Sequence, residues 1–314
     1  MTFAFVFPGQ GSQTIGMGRD LYNNFSAARH VVAEVEEALH HKLSHIMFEG
    51  SNEDLMLTEN TQPALLTASM MAVRVIEEET KKPLSSISSL MAGHSLGEYS
   101  ALCAAGYLNL TDAVRLVRLR GQAMQNAVPV GVGAMAAILG LDLPTVEQNL
   151  KTFTASDHLC VVANDNSPGQ IVISGHKAAV DEAITLCTTA GAKRGMLLPV
   201  SAPFHSPLMA PAANVMEEAL ANVQLNTSTI QVVANVTAMP FVGTDMIIPS
   251  LVQQITGRVR WCESISHMKQ LGATTFIELG VGKVLSGLIK RIESDVATLS
   301  VQNNEELSAF LSRC

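Results

Sequence analysis

A serine between two glycines is the residue in this sequence best suited to act as a nucleophile. The segment Gly93-His94-Ser95-Leu96-Gly97 matches the G-x-S-x-G pattern of a nucleophile elbow, a tight turn between a strand and a helix. The two glycines let the backbone turn without Cβ clashes, and the turn holds the serine Oγ at a helix N-terminus, where N–H groups stabilise an oxyanion. The pattern therefore predicts covalent catalysis by Ser95, with a purely structural turn as the alternative.

A serine hydroxyl becomes an effective nucleophile at neutral pH when a base withdraws its proton, so a partner is expected among the nine histidines. His205 follows a predicted strand end in a proline-rich loop, where a side chain can be held rigidly beside a cleft. From the residues alone, a catalytic and a structural role for His205 stay equally open. His94 adjoins the serine, but neighbours on a tight turn usually point apart, so we expect it to be structural or to line the site. For the other seven a surface role is favoured: His30, His40, His41, His45, His158, His176 and His267.

The elements that must position these residues alternate between strand and helix, which predicts an α/β architecture with a largely parallel sheet. A strand is predicted at residues 3–7, and the run Ser86–Ala92 before the serine is predicted to be a buried strand. Helical patterns cover residues 20–41, 62–80, 96–105, 111–126 and 304–312.

A smaller unit is predicted to begin after the Pro- and Gly-rich segment PVGVG. The order there is strand, helix, strand, turn, strand, helix, strand, which is the split β-α-β order of a ferredoxin-like domain. These elements are predicted at residues 134–139, 143–153, 159–163, 164–169, 170–174, 178–189 and 195–199. We therefore predict a catalytic core of residues 1–127 and 200–314, with a subdomain of residues 128–199 inserted into it.

Composition excludes several classes of protein. The chain has 314 residues, of which 47% are hydrophobic and 15% charged, which is typical of a compact globular enzyme. The net charge of −8 disfavours binding to nucleic acid, which needs clustered Lys and Arg. No apolar run approaches the roughly 20 residues that span a bilayer, and the N-terminus lacks a basic leader. The five cysteines contain no C-x-x-C pair. We expect a cytoplasmic protein with reduced thiols and no metal site.

Five segments of the sequence form a recognisable set: FPGQGSQ (7–13), GHSLGEYSA (93–101), RLRGQAM (118–124), NSPGQIVISG (166–175) and VSAPFHSPLM (200–209). Together they resemble one family, the malonyl-CoA:acyl carrier protein transacylases. The resemblance spans nearly the whole chain, in order and with matching spacing. It implies an α/β-hydrolase-like core interrupted by a ferredoxin-like subdomain, in agreement with the order of elements above.

The resemblance assigns the residues of the reaction itself. It implies that Ser95 is the nucleophile and His205 the general base. It also implies that the backbone N–H groups of Leu96 and Gln10 form the oxyanion hole. The expected reaction is a two-step exchange in which malonyl passes from malonyl-CoA to Ser95 and then to the phosphopantetheine thiol of an acyl carrier protein.

The resemblance also implies a pocket for the malonyl group. Arg120 would bind the free carboxylate through two parallel N–H donors, a geometry that lysine cannot reproduce. Without the resemblance, Arg120 would be read as an ordinary arginine on a helix surface. Phe204 would crowd the α-carbon and disfavour branched acyl groups, and Met124 and His94 would contribute to the same pocket.

The family resemblance places the base against a backbone carbonyl near a glutamine, in place of the acidic residue of a classical triad. Counting back from Trp261 selects Gln254, although Gln253 stays open because the segment reads Gln-Ile-Thr-Gly-Arg-Val where the family usually has Gln-Leu-Tyr-Asn-Pro-Val.

The expected partners are malonyl-CoA and an acidic, transiently bound carrier protein, with no cofactor and a monomeric enzyme. Lys283, Lys290 and Arg291 are candidates for the docking surface, with an ordinary solvated helix face as the alternative. Three other readings stay open: a serine hydrolase or thioesterase with the same elbow, a non-catalytic scaffold, and a transferase for another acyl group.

Overall fold

Two separate sheets organise the protein. The computed structural model describes residues 2–200 and 202–313. Its ten strands are β1 (Phe3–Phe7), β2 (Leu90–Gly93), β3 (Gly133–Leu139), β4 (Thr154–Ala155), β5 (His158–Ser167), β6 (Gln170–His176), β7 (Arg194–Leu197), β8 (Gln231–Val233), β9 (Thr275–Leu279) and β10 (Ala297–Val301).

The helices surround these sheets. The fourteen α-helices in the described ranges are α1 (Arg19–Asn24), α2 (Ser26–Leu39), α3 (Leu43–Phe48), α4 (Asn52–Met56), α5 (Thr58–Thr80), α6 (Gly97–Ala104), α7 (Leu110–Asn126), α8 (Leu143–Leu150), α9 (Lys177–Thr189), α10 (Ala210–Leu220), α11 (Ile247–Thr256), α12 (Trp261–Gln270), α13 (Val284–Ile292) and α14 (Asn304–Leu311). None of them has both the length and the hydrophobicity that a membrane span requires.

The first sheet is parallel throughout and has the order β10-β9-β1-β2-β8. All five residues of β1, Phe-Ala-Phe-Val-Phe, are buried, as expected of a central parallel strand that is covered by helices on both faces. Helices α5, α6 and α7 contribute to the largest apolar cluster beside this sheet. The parallel sheet therefore forms a rigid base from which β2 delivers the serine turn.

The second sheet is antiparallel and has the order β4-β5-β6-β3-β7. Helices α8 and α9 cover it and share a separate apolar cluster with its strands, which includes Ile138, Val146, Ile173 and Val180. The parallel and antiparallel sheets confirm the predicted α/β class. The boundaries of the inserted unit, between residues 127 and 128 and between 199 and 200, stay a prediction.

Some predicted elements differ from the structure. The helix predicted at residues 20–41 is divided into α1 and α2, because Phe25 between them is extended, with φ −124° and ψ 136°. The strand predicted at Ser86–Ala92 begins only at Leu90, because the Ser88 hydroxyl donates to Phe3 O at 2.7 Å and accepts from Leu90 N at 3.1 Å in place of regular strand pairing. The turn predicted at residues 164–169 is limited to Pro168 and Gly169, since β5 continues to Ser167 and pairs with β6 as far as Ser167 opposite Gln170, with two register shifts. In the same stretch β5 also pairs outside its own sheet, with Asp165 N donating to Val259 O at 3.0 Å.

That pairing joins the second sheet to the segment that follows α11. Val259 N donates in turn to Ala163 O at 2.8 Å. Beside it, Arg258 Nη2 lies 2.6 Å from Glu147 Oε1 of α8. These contacts hold β5 against the parallel-sheet side of the molecule, so that side chains from both sheets line one cavity.

Candidate active site

The turn after β2 has the geometry of a nucleophile elbow. Ser95 has a φ of 53°, in the left-handed region, and α6 begins two residues later at Gly97. A Cβ at Gly93 would lie 1.8 Å from Gly97 O, and a Cβ at Gly97 would lie 2.2 Å from Phe7 O. Both positions therefore require glycine, which explains the G-x-S-x-G pattern in steric terms.

His205 lies directly beside this serine. Its Nε2 is 2.8 Å from Ser95 Oγ. Its Nδ1 is 2.9 Å from Gln254 O and 3.2 Å from Gly257 O. Because both carbonyls can only accept, Nδ1 carries the hydrogen and the Nε2 lone pair faces the serine hydroxyl. The glutamine whose carbonyl contacts the imidazole is Gln254 and not Gln253.

The environment of His205 keeps its imidazole neutral. The residue is 4% exposed. Burial is the main cause and the charge of Arg120 the second that together lower its pKa from 6.5 to about 3, although the hydrogen bonds to the two carbonyls act in the opposite direction. A neutral imidazole is the form that can accept the proton of Ser95.

Arg120 reaches the same hydroxyl from α7. Its Nη2 donates to Ser95 Oγ at 3.1 Å and to Gln254 Oε1 at 2.9 Å, and its Nη1 donates to Gln62 Oε1 at 2.9 Å. The residue is 1% exposed, and burial lowers the pKa of the guanidinium. Its Nε has no partner within residues 2–200 and 202–313. Arg120 is thus a buried, anchored cation and not an arginine of the helix surface.

Glycine at position 121 lets α7 approach α5 closely. A Cβ there would lie 2.6 Å from Thr58 O. The close approach lets Gln62 of α5 bond Arg120 of α7, which fixes the guanidinium relative to the serine.

These groups line a cavity of about 160 Å³. Among the described residues, Arg120 is its one permanently charged side chain. The other lining residues are Gln10, Gln62, His94, Ser95, Leu96, Met124, Met135, Asn164, Asn166, Val172, Leu198, Val200, Phe204 and His205. A small, mostly apolar cavity with one fixed cation favours a ligand that carries one carboxylate.

The predicted pocket residues Met124, Phe204 and His94 all line this cavity, as do Gln10 and Leu96. His94 Nε2 is 2.8 Å from Asn166 Oδ1 of the second sheet, which orients its ring along the wall. A wider groove of about 290 Å³ adjoins the cavity and shares Gln10, His94 and Asn166 with it. The larger groove therefore lies next to the reacting groups.

Sequence reasoning missed the polar residues beneath the elbow. Asn235 Oδ1 accepts from Ser95 N at 2.7 Å, and Asn235 Nδ2 donates to Gly93 O at 2.7 Å. Glu98 Oε2 accepts from Asn235 N at 3.0 Å and from Gln254 Nε2 at 2.7 Å. Glu98 could have been singled out, because a carboxylate two residues into an otherwise apolar helix needs a buried partner. Asn235 follows a short strand and has no local signal.

The three cations considered for docking all have partners within the chain. Lys283 Nζ lies 2.8 Å from Glu306 Oε1. Lys290 Nζ donates to Val296 O at 2.6 Å, and Arg291 Nη1 donates to Gln170 Oε1 at 2.6 Å. Their use in docking stays a prediction.

Comparison with known proteins agrees with this geometry at two levels. A serine beside a neutral imidazole and a buried arginine defines a serine-dependent acyltransferase site, and residues 4–303 match the family model described as "Acyl transferase domain". The malonyl CoA-acyl carrier protein transacylase of Bacillus subtilis is 46% identical over 304 residues, which cover 97% of this chain and 94% of that protein. The Escherichia coli K12 transacylase is 45% identical over 309 residues, covering 98% of each chain.

Solved structures of other proteins are also similar to this chain over its whole length. The acyl-carrier-protein S-malonyltransferase of Bartonella henselae is 51% identical, with a TM-score of 0.96 over 100% of this chain and 99% of that one. A malonyl-transacylase in complex with a type II PKS acyl-carrier protein is 41% identical, with a TM-score of 0.95 over 100% of both chains. The chain belongs to the malonyl CoA-acyl carrier protein transacylase family.

Proposed function

We propose that this protein transfers the malonyl group of malonyl-CoA to the phosphopantetheine thiol of an acyl carrier protein, through an ester on Ser95. Such a transfer supplies extender units for fatty acid biosynthesis. The observation that carries the proposal is the convergence on one hydroxyl: Ser95 Oγ lies 2.8 Å from His205 Nε2 and 3.1 Å from Arg120 Nη2. The partner follows from relatives that are named as carrier protein transacylases, one of them solved with a carrier protein.

In the first half of the reaction, His205 Nε2 accepts the proton of Ser95 Oγ while Oγ attacks the thioester carbon. The carbonyl oxygen gains the negative charge and is stabilised by the N–H groups of Gln10 and Leu96. The C–S bond then breaks, and His205 returns its proton to the sulfur as free coenzyme A. The second half runs the same steps in reverse, with the carrier thiol as nucleophile.

The contacts of His205 suit this exchange. The imidazolium that forms during each step is stabilised by two neutral carbonyls, those of Gln254 and Gly257, and by no carboxylate in contact with it among the described residues. A carbonyl stabilises the imidazolium less than an aspartate would. A thiol, with an ordinary pKa of about 8.5, is a far better leaving group than an amine, so a weaker base suffices. Each half-reaction exchanges a thiol and the Ser95 hydroxyl on the same acyl group, so the overall transfer converts one thioester into another and can run in either direction.

Substrate choice is assigned to Arg120 and Phe204. The carboxylate of malonyl would take up donors of the buried guanidinium, and acylation would remove Ser95 Oγ as one of its present acceptors. Phe204, which is 7% exposed and lines the cavity, would limit space at the α-carbon. Met124 and His94 are assigned to the wall of the same pocket.

The proposed chemistry uses the substrate's own thioester and needs no cofactor. We place the protein in the cytoplasm, in line with the free thiols of Cys103, Cys160, Cys187 and Cys262.

The decisive experiment separates transfer from hydrolysis. After mixing with malonyl-CoA, an intact-mass spectrum should show one added malonyl group that persists without acceptor and disappears when holo carrier protein is added. The Ser95→Ala variant should show no such adduct. A malonyl group that is lost equally fast with and without carrier thiol would favour the alternative, a serine hydrolase, and an adduct on the Ser95→Ala variant would refute the nucleophile.

A further inference from the structure

One buried carboxylate beside the site takes no part in the chemistry described above. Glu98 lies in the first turn of α6 and is 0% exposed. Its Oε2 accepts from Gln254 Nε2 at 2.7 Å and from Asn235 N at 3.0 Å. A charged group in the interior is costly unless it is paired or hydrogen-bonded, so the partners of Glu98 decide what it does.

The partners of Glu98 lead to every reacting group. Asn235 holds the elbow, through its bonds to Ser95 N and Gly93 O. Gln254 contacts three groups: its main-chain oxygen is 2.9 Å from His205 Nδ1, its Oε1 accepts from Arg120 Nη2 at 2.9 Å, and its Nε2 donates to Ser95 O at 2.9 Å. Glu98 is thus one residue away from the nucleophile, the base and the cation.

The side-chain amide of Gln254 has two orientations in principle, and its neighbours accept only one. An ionised carboxylate can only accept, which requires the NH₂ group to face Glu98. A guanidinium can only donate, which requires Oε1 to face Arg120. If the amide turned over, its NH₂ would face Arg120 and its oxygen would face Glu98, and both buried bonds would be lost.

The ionisation of Glu98 is tied to the same network. Burial raises its pKa, the bonds from Gln254 and Asn235 and the charge of Arg120 lower it, and the net pKa is about 7. Its second oxygen, Oε1, has no hydrogen-bond partner in the part of the chain that the structure describes. The carboxylate is therefore held by the groups that it orients and not by a separate structural contact.

We propose that Glu98 is a positioning residue for the transfer reaction: it fixes the orientation of the Gln254 amide and the place of Asn235, and through them the alignment of Arg120 and His205 on Ser95. The inference rests on the proposed function, because it is defined by the acylation of Ser95.

A second buried carboxylate provides a matched control. Glu278, at the end of β9, is 1% exposed and accepts from Leu285 N at 3.1 Å, Ser286 N at 2.8 Å and Ser286 Oγ at 2.8 Å. It ties down the start of α13 and contacts none of the reacting groups. Removing it should cost stability without changing the chemical step.

The test compares Glu98→Gln, Glu98→Leu and Glu278→Leu by the single-turnover rate of malonyl-enzyme formation at saturating malonyl-CoA, corrected for the folded fraction. Glu98→Gln keeps an acceptor for Gln254 and Asn235 and should stay within about tenfold of the wild-type rate. Glu98→Leu removes the acceptor and should slow acylation on the order of 10²-fold, because small misplacements of reacting groups cost about that much. It should also lower the ratio of malonyl to acetyl transfer. Glu278→Leu should keep both the rate and the ratio.

Failure of the proposed function is distinguishable from failure of this inference. If the wild type forms no malonyl adduct on Ser95, the function is wrong. If it does, and Glu98→Leu acylates within threefold of the wild type with unchanged selectivity, the role of Glu98 is overturned. Should Glu98→Leu not fold, Glu98→Asp decides the question. This variant keeps the carboxylate but shortens the side chain by one methylene, which moves the acceptor away from Gln254 and Asn235. A loss of about tenfold in the acylation rate supports the role of Glu98, and a wild-type rate contradicts it.

Discussion

The two sheets contribute unequally to the cavity. The side built on the parallel sheet supplies Ser95 at the end of β2, with Asn235 and Glu98 beneath it. The antiparallel sheet supplies a wall, in which Met135 and Val172 are apolar and Asn166 is neutral. Within the described residues, no charged side chain of the second sheet lines this cavity.

The difference extends to the backbone. Ser95 and His205 both have positive φ, 53° and 57°, which non-glycine residues adopt only when their surroundings enforce it. The apolar wall residues Met135 and Val172 belong to regularly paired strands, whereas Asn166 lies in the irregular end of β5. The reacting groups therefore depend on an enforced backbone conformation and buried hydrogen bonds, whereas the apolar part of the wall depends on ordinary strand pairing. Substitutions on the parallel-sheet side should change the rate of the chemical step, and substitutions in the antiparallel-sheet wall should change substrate binding.

The largest effect is expected at Arg120. Replacing it with alanine removes the cation that selects a carboxylate, so kcat/KM for malonyl-CoA should fall by about 10² to 10³, as expected for a buried charged contact. Transfer of acetyl should fall much less. The measurement is a comparison of kcat/KM for malonyl-CoA and acetyl-CoA. Arg115→Ala is the control on the same helix, since Arg115 Nε donates to Ala38 O and not to the site. An unchanged ratio of malonyl to acetyl would show that Arg120 does not select the substrate.

The pH profile tests the neutral base. With its pKa lowered to about 3, His205 stays unprotonated down to well below pH 6.5, so acylation should show no loss of activity between pH 8 and 5 from this group. The unfolded chain would bind a proton at an ordinary histidine pKa near 6.5 where the folded protein does not. The contribution of His205 to stability is therefore present above that pH and lost as the pH falls toward 3.

Glu98 has a pKa of about 7 and could add its own inflection, so the profile is measured in Glu98→Gln as well. An inflection between pH 6 and 7 that persists in this variant would contradict a neutral, buried His205.

A smaller effect is expected on the wall. Asn166→Ala removes the partner of His94 Nε2 but leaves Ser95, His205 and Arg120 in place. KM for malonyl-CoA should rise a few-fold, in proportion to one hydrogen bond worth about 1 kcal/mol. The single-turnover rate at saturation should be unchanged. A loss of single-turnover rate as large as that caused by Arg120→Ala would show that the antiparallel-sheet wall also controls the chemical step.

The smallest effect is expected at the ion pair between α8, which covers the second sheet, and the segment after α11, where Gly257 O contacts His205 Nδ1. Arg258 and Glu147 are 2.6 Å apart but their side chains are 31% and 43% exposed, so the pair should contribute at most about 1 kcal/mol. A double-mutant cycle of Arg258→Ala and Glu147→Ala, followed by urea unfolding, measures it. The coupling should shrink at high salt. A coupling energy well above 1 kcal/mol would mean that this ion pair joins the wall to the reacting side more strongly than the exposure of its two side chains indicates.

Much of the reacting side could be predicted from the sequence because its signals are local. The glycines around Ser95 are required by sterics, and the proline-rich loop marked His205 as a candidate. The choice between Gln253 and Gln254 also had a local signal: Gln254 shares the buried face of α11 with Leu251, whereas Gln253 is exposed.

What the sequence did not reveal depends on contacts between distant elements. Gln62, Asn235 and Glu98 lie on three different elements and meet only after the fold has formed. The pairing of β5 with Val259 joins residues nearly a hundred positions apart. No local pattern encodes either arrangement.

The most direct measurement is a crystal structure of the malonyl-enzyme. We expect an ester on Ser95 Oγ, both oxygens of the free carboxylate on the Arg120 guanidinium, and the ester carbonyl oxygen within hydrogen-bond distance of the N–H groups of Gln10 and Leu96. A malonyl carboxylate that avoids Arg120, or an acyl group on another residue, would contradict this expectation.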